Sequence, residues 1–266
     1  MGGVIFSFLF WGFGFLRMGT TALTAQAMGA DQPSEALAVF IRAASIGVGL
    51  GMLFILLSIP LGDLALSVLG GSQDAEEAAR QYFDIRILGA PFSLCTLAIM
   101  GYLLGLQETR LVLYLNLLLN GMNIVLDLVF VLGFGWDVRG VALATVCSEV
   151  TVVLVGLYLI FWHRTSVTRP NRDEIFAMDK MVRMFKVNRD IMIRTLCLIF
   201  AFAWFTDQGA TQGDVTLAAN AILMQFVSFA AFFLDGFALA SETLIGTATG
   251  AAVKPKSISR SVMFLS

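Results

Sequence analysis

The 266-residue chain is poor in the groups that most enzymes and nucleic-acid binders need. It has one histidine, three cysteines and only 14% charged residues, where a soluble domain carries about 25% charged residues. The single histidine, His163, stands at the end of an apolar run, so neither a Ser/His pair nor a zinc-ligand set can be assembled. Cys95, Cys147 and Cys197 each lie inside an apolar stretch, without metal or redox spacing, and read as small membrane-buried residues. An enzyme and a resident cofactor are therefore not expected. Net charge is −2, which lacks the basic field of a nucleic-acid binder. Charge this low also excludes disorder. No run keeps the two-residue alternation of barrel strands, and no basic leader precedes a short core in the manner of a cleavable signal peptide.

What fills the chain is apolar: 58% of residues are hydrophobic and mean hydropathy is +0.84. A membrane-crossing helix needs about 20 such residues. Seven runs qualify, at 3–28, 43–69, 85–106, 111–134, 138–162, 190–206 and 215–250. The expectation is an all-α polytopic membrane protein in the lipid bilayer. The last run is too long for one straight span and is expected to continue past the bilayer or to bend near Gly236. Basic residues set the orientation. Arg42, Arg110, seven between Arg164 and Arg189, and Lys254, Lys256 and Arg260 follow the odd-numbered spans; only Arg80, Arg86 and Arg139 follow the even ones. This bias assigns the first set to the cytoplasm.

The longest loop, 164–189, divides the chain into 1–163 and 190–266. Within it Ile175, Met178, Val182 and Phe185 recur at helical spacing, as on an amphipathic helix lying on the inner leaflet; a plain basic linker is the other reading. The two parts share a faint repeat. At an offset of 221, Ser7, Phe8, Leu23, Ala27, Gly29 and Ala30 fall on identical residues, ending in Gly250 and Ala251. Both copies end on the same side and precede a polar exit, which suggests two parallel homologous bundles. On that reading the second bundle is cut short and the first lacks a leading helix.

Ionisable groups at bilayer depth cost about 2.5–3.5 kcal/mol on insertion scales and are functional candidates by default. Asn116, Asn120, Asn123 and Asp127 are spaced i, i+4, i+7, i+11 and form one polar stripe on an apolar helix. The next run begins after a short turn near Trp136. In an antiparallel pair, residues whose numbers sum to about 272 share a depth, so Asp127 faces Thr145 and Asn123 faces Glu149. Such oxygen donors suit a hard cation, Na⁺ or a proton. Amides and carboxylates also bridge membrane helices in purely structural roles. Arg17, Asp235 and Glu242 are further buried charges, read either as an ion pair or cavity lining, or as interhelix pairing and snorkelling. Asp63, after Pro60, is expected at an interface. Phe6, Phe8, Phe10, Trp11, Phe13 and Phe15, with Phe226, Phe229, Phe232, Phe233 and Phe237, are able to line a chamber for flat lipophilic cations, or simply to pack and face lipid.

The segment Phe8-Leu-Phe-Trp-Gly-Phe-Gly-Phe-Leu-Arg-Met-Gly-Thr20 with Ala25-Gln-Ala27 resembles the second helix of MATE (multidrug and toxic compound extrusion) transporters of the DinF subfamily. Asn123-Ile-Val-Leu-Asp127 followed by Gly140-Val-Ala-Leu-Ala-Thr145, and Phe233-Leu-Asp-Gly-Phe237, resemble further helices of that family. The resemblance implies a twelve-helix bundle of two six-helix lobes, of which this chain matches helices two to eight: a nearly complete N-lobe and the start of a C-lobe. The remaining helices would be supplied in cis or in trans. It implies H⁺- or Na⁺-coupled antiport of lipophilic, often cationic drugs or other xenobiotics across the inner (plasma) membrane. Asp127 would bind the cation, assisted by Asn123 and Thr145, with Glu149 nearby. Apart from the resemblance, the buried polar positions Asn116, Asn120, Arg17, Asp235 and Glu242 are the candidates for lining a substrate cavity. The alternatives are a lipid-linked precursor flippase of the same superfamily, which should carry several cavity cations where only Arg17 is evident, a seven-helix receptor-like protein, and an inactive truncated transporter.

Overall fold

A computed structural model describes residues 12–69, 73–162 and 170–252. Phe6, Phe8, Phe10, Trp11, His163, Arg164, Arg169, Lys254, Lys256 and Arg260 lie outside the described residues, as does the start of the first expected span. Among the described residues every regular element is helical. They are α1 (Gly14–Gly29), α2 (Pro33–Leu56), α3 (Ser58–Leu69), α4 (Gln73–Arg86), a 3₁₀ turn (Ile87–Gly89), α5 (Ala90–Gly105), α6 (Thr109–Asp127), a π turn (Leu128–Gly133), α7 (Asp137–Trp162), α8 (Arg172–Ile175), α9 (Met178–Thr211) and α10 (Asp214–Ala252). Five stretches are long and apolar enough to cross a membrane: Pro33–Leu56, Glu76–Gly105, Thr109–Gly133, Asp137–Trp162 and Val215–Ala252.

Three boundaries differ from the sequence reading. Arg42 is not a loop residue; α2 starts early, with Pro33 pre-set for its first turn, and Arg42 lies buried on it. The expected 164–189 linker is continuous with the next span from Met178 onward, because nothing between Met178 and Thr211 breaks a helix. One face of that segment packs inward through Met184, fully buried, while Met178, Val182 and Phe185 stay exposed. Helix α10 passes Gly236 unbroken for 39 residues.

The core is built around α5, which packs against both α1 and α2. Small residues make this possible, as expected where lipid supplies no hydrophobic drive between helices. A Cβ on Gly101 would come within 2.5 Å of the Arg17 carbonyl, and one on Gly105 within 2.5 Å of Thr24 Cβ. Leu16, Phe40, Leu94, Ile99 and Tyr102 fill the space between. Helices α6 and α7 form an antiparallel hairpin, and α4 lies along α7.

Helix α10 joins this bundle by packing on α1, and the contact obeys the 221-residue offset. A Cβ on Gly29 would overlap the Thr247 carbonyl; one on Gly250 would overlap the Gln26 carbonyl; one on Gly246 would meet Ala25 Cβ at 2.9 Å. Subtracting 221 turns Thr247 into position 26, Gly250 into 29 and Gly246 into 25. Position 29 therefore meets 26 of the other copy, 26 meets 29, and 25 meets itself. Reciprocal pairing of this kind is the mark of a two-fold relation between the two helices. It lends geometric weight to a repeat that six identities alone left weak.

Candidate functional site

The polar stripe of α6 divides into two halves. Asn116 and Asn120 are exposed, and their amides fold back on the helix, donating to the carbonyls of Val112 (2.9 Å) and Asn116 (2.8 Å). Asn123 turns the other way. Its Nδ2 donates to Thr145 Oγ1 at 3.2 Å, and the Thr145 hydroxyl donates to the Val141 carbonyl at 3.0 Å. Asp127 lies one turn further along, as the last residue of α6. Its Oδ1 is buried and has no hydrogen-bond partner among the described residues. Buried polar atoms are nearly always paired; Thr24 Oγ1, Thr96 Oγ1 and Asn188 Oδ1 are likewise without a partner among the described residues, and Asp127 is the one carboxylate of the four. The π turn begins at the next residue, and such turns are frequent at functional sites.

Glu149 is not part of that group. Arg86 Nη2 and Nη1 donate to its two oxygens at 2.5 and 3.0 Å, and both residues are less than 10% exposed. The contact pair is Asn123 with Thr145, numbers summing to 268 rather than 272. The helical stretch ends at Gly133 and α7 begins at Asp137, so the turn is centred on Gly135 rather than on Trp136, which shifts the register in this direction. Arg86, read from sequence as a loop cation, ends α4 inside the bundle.

A second group joins α1, α9 and α10. Arg17 of α1 and Arg194 of α9 both act electrostatically on the Glu242 carboxylate of α10, and Arg194 Nη2 reaches Met18 Sδ at 3.6 Å. Asp235, two turns back on α10, is exposed. Arg194 lies inside the expected span 190–206, away from the loops whose basic residues set the orientation. A cation four residues into an apolar run is a signal of its own. At the linker end, Arg42 donates to the carbonyls of Ile175 (2.6 Å) and Glu174 (2.7 Å) and to Glu35 (2.9 Å). Lys180 pairs with the other Glu35 oxygen at 2.5 Å, and Arg183 donates to Gln26 at 2.7 Å. These residues border a cavity of about 270 Å³. A larger hollow of about 670 Å³, beside Glu77, Gln81, Trp136, Asp137 and Arg139, contains none of the groups above. Asp63 pairs with Arg80 at 3.0 Å on the surface.

The MatE family model matches residues 2–129. The chain is 41% identical over 254 residues to the DNA damage-inducible protein F of Escherichia coli, covering 94% of this chain and 55% of that protein. It is 22% identical over 198 residues to the multidrug export protein MepA of Staphylococcus aureus, covering 71% of this chain and 42% of that protein. A crystal structure of MATE in complex with MaD5 superposes with a TM-score of 0.84 at 24% identity, covering 94% of this chain and 58% of that one. The chain spans about half the length of the curated relatives it matches. Helix pairing, reciprocal lobe contact and relatives agree, and the chain belongs to the MATE family of membrane proteins.

Proposed function

We propose that this chain carries the ion-binding lobe of an H⁺- or Na⁺-coupled antiporter that exports lipophilic, often cationic compounds from the cell. The observation that carries this reading is the buried, unpartnered Asp127 oxygen beside the Asn123–Thr145 hydrogen bond. Loading Asp127 removes an uncompensated charge from the α6–α7 hairpin and so favours one arrangement of the lobes over the other. A ligand shifts such an equilibrium only by its different affinity for the two states. The reciprocal α1–α10 contact and the Glu35–Lys180 and Gln26–Arg183 pairs hold the two parts together at the linker end. With the 164–189 segment on the cytoplasmic side of the inner membrane, this arrangement is closed inward. The remaining C-lobe helices, in cis or in trans, complete the cleft.

Ethidium efflux by vesicles containing the protein tests this. Asp127→Asn should abolish the dependence of efflux on a proton or Na⁺ gradient; efflux that keeps its cation dependence would sink the assignment. One observation favours a second reading. Arg194 joins Arg17 around Glu242, giving two cations where the sequence offered one, as the cavity of a lipid-linked precursor flippase requires. Transport of an anionic lipid-linked sugar that survives Asp127→Asn but fails in Arg17→Ala would replace the first reading by the second.

A further inference from the structure

The Arg86–Glu149 pair is a buried ionic contact that the scheme above leaves unused. It is expensive to bury. Exchanging such a pair for well-packed apolar residues is often neutral or stabilising, so stability alone is a poor reason for it. What the pair supplies is direction. Arg86 grips Glu149 through two nitrogens, at 2.5 and 3.0 Å, and also donates to Ser93 Oγ at 3.3 Å. A forked guanidinium–carboxylate contact fixes rotation as well as distance, which apolar packing does not.

The fork sits in a socket cut by Gly89 in the 3₁₀ turn between α4 and α5. A Cβ there would come within 2.7 Å of Arg86 Nη1, 2.9 Å of Glu149 Oε2 and 3.0 Å of Val146 Cγ2. Val146 is the residue after Thr145, and Glu149 is one helical turn beyond Thr145 on α7. The socket and the fork therefore hold α7 at one residue and at one full turn beyond Thr145, whose hydroxyl accepts the Asn123 amide.

We infer that Glu149 is a positioning residue: its ion pair with Arg86, seated over Gly89, sets the rotation of α7 and thereby the place of Thr145 beside Asn123 and Asp127. This rests on the cation-site reading above and adds a role for a residue outside that site. Outer partners that orient ion ligands typically change affinity by about 10–100-fold when removed.

The test measures ethidium efflux by vesicles of the protein as a function of Na⁺ and of pH, with melting temperature recorded alongside. Replacing the pair together, Arg86→Met with Glu149→Leu, should keep the melting temperature but raise the cation concentration for half-maximal efflux about tenfold. Maximal rate at saturating cation should return toward that of the unaltered protein. The same replacement in a Thr145→Val background should add nothing further, because the effect travels through Thr145. Should the double replacement fail to accumulate, Gly89→Ala provides the same displacement with both charges kept, and the same tenfold shift is expected. An unchanged half-activation in the double replacement or in Gly89→Ala, or a shift fully additive with Thr145→Val, overturns the inference while leaving Asp127 in place. Loss of cation dependence in none of these, Asp127→Asn included, overturns both readings at once.

Discussion

Two stretches of this chain are equally apolar and have opposite fates. Glu76–Gly105 and Val215–Ala252 both reach a mean hydropathy of 1.9, yet 78% of the first stretch's most apolar window is buried and none of the second's. Hydropathy records affinity for the bilayer; it does not record whether a helix is to be surrounded by protein. Side-chain size does. The α5 part of the first stretch presents Gly101 and Gly105 to α1, so backbones approach closely. The first two thirds of α10 carry Phe226, Phe229, Phe232, Phe233 and Phe237, all exposed. Where α10 reaches Gly246 and Gly250 it packs closely on α1, and near its start Leu217 and Asn220 lie against Gly209 of α9. The same contrast operates within a single helix.

This comparison is open to being broken, beginning with the largest effect. Gly101→Leu puts a branched side chain onto the α1 backbone, and the protein should vanish from fluorescence-detected gel filtration; Gly236→Leu, with nothing within 4 Å, should elute unchanged. Equal loss in both would show that the bare face of α10 is covered tightly. Next, Phe40→Ala removes a side chain that is 1% exposed and should cost about 3–5 kcal/mol. Phe232→Ala, at 74% exposed, should stay within about 0.5 kcal/mol. Reversible unfolding in mixed micelles compares the two. Gly250→Ala pushes on the Gln26 carbonyl and should open the seam without altering the core. A thiol introduced by Ala27→Cys, otherwise buried, should then react with maleimide several-fold faster. Smallest is Lys180→Ala. Its partner Glu35 keeps Arg42, and Lys180 is itself 38% exposed, so at most about 0.5 kcal/mol is expected, fading in high salt.

How much of this was legible from the residues depends on the range of the contact. The α6 stripe followed from periodicity, and a short turn was enough to bring Thr145 of α7 toward Asn123. The observed register differs from the expected one by a turn, and the i→i+5 winding after Asp127 leaves no trace in an apolar Leu-Val-Phe-Val-Leu-Gly run. The partner of Glu149 was out of reach. Arg86 is 63 residues away on a helix whose charged first half made its end look like a loop. The same holds for Arg42, whose partners at Glu174 and Ile175 are backbone carbonyls and so carry no residue-type signal. Small-residue contacts between Gly29, Gly246, Gly250 and their neighbours were half visible, as the best-matching end of the repeat.

The hold of Arg42 on those two carbonyls has a mechanical consequence. Helix α8 is tied to α2, and only Phe176 and Ala177 separate it from the long rod of α9, whose foot is held to α2 by Lys180–Glu35 and to α1 by Arg183–Gln26. At about 1.5 Å per residue the 34 residues of α9 make a lever of roughly 51 Å. A swing of about 10° at its foot carries the far tip through roughly 9 Å at that length. The Lys180–Glu35 and Arg183–Gln26 pairs stand at that foot, so a swing of this size has to break them first.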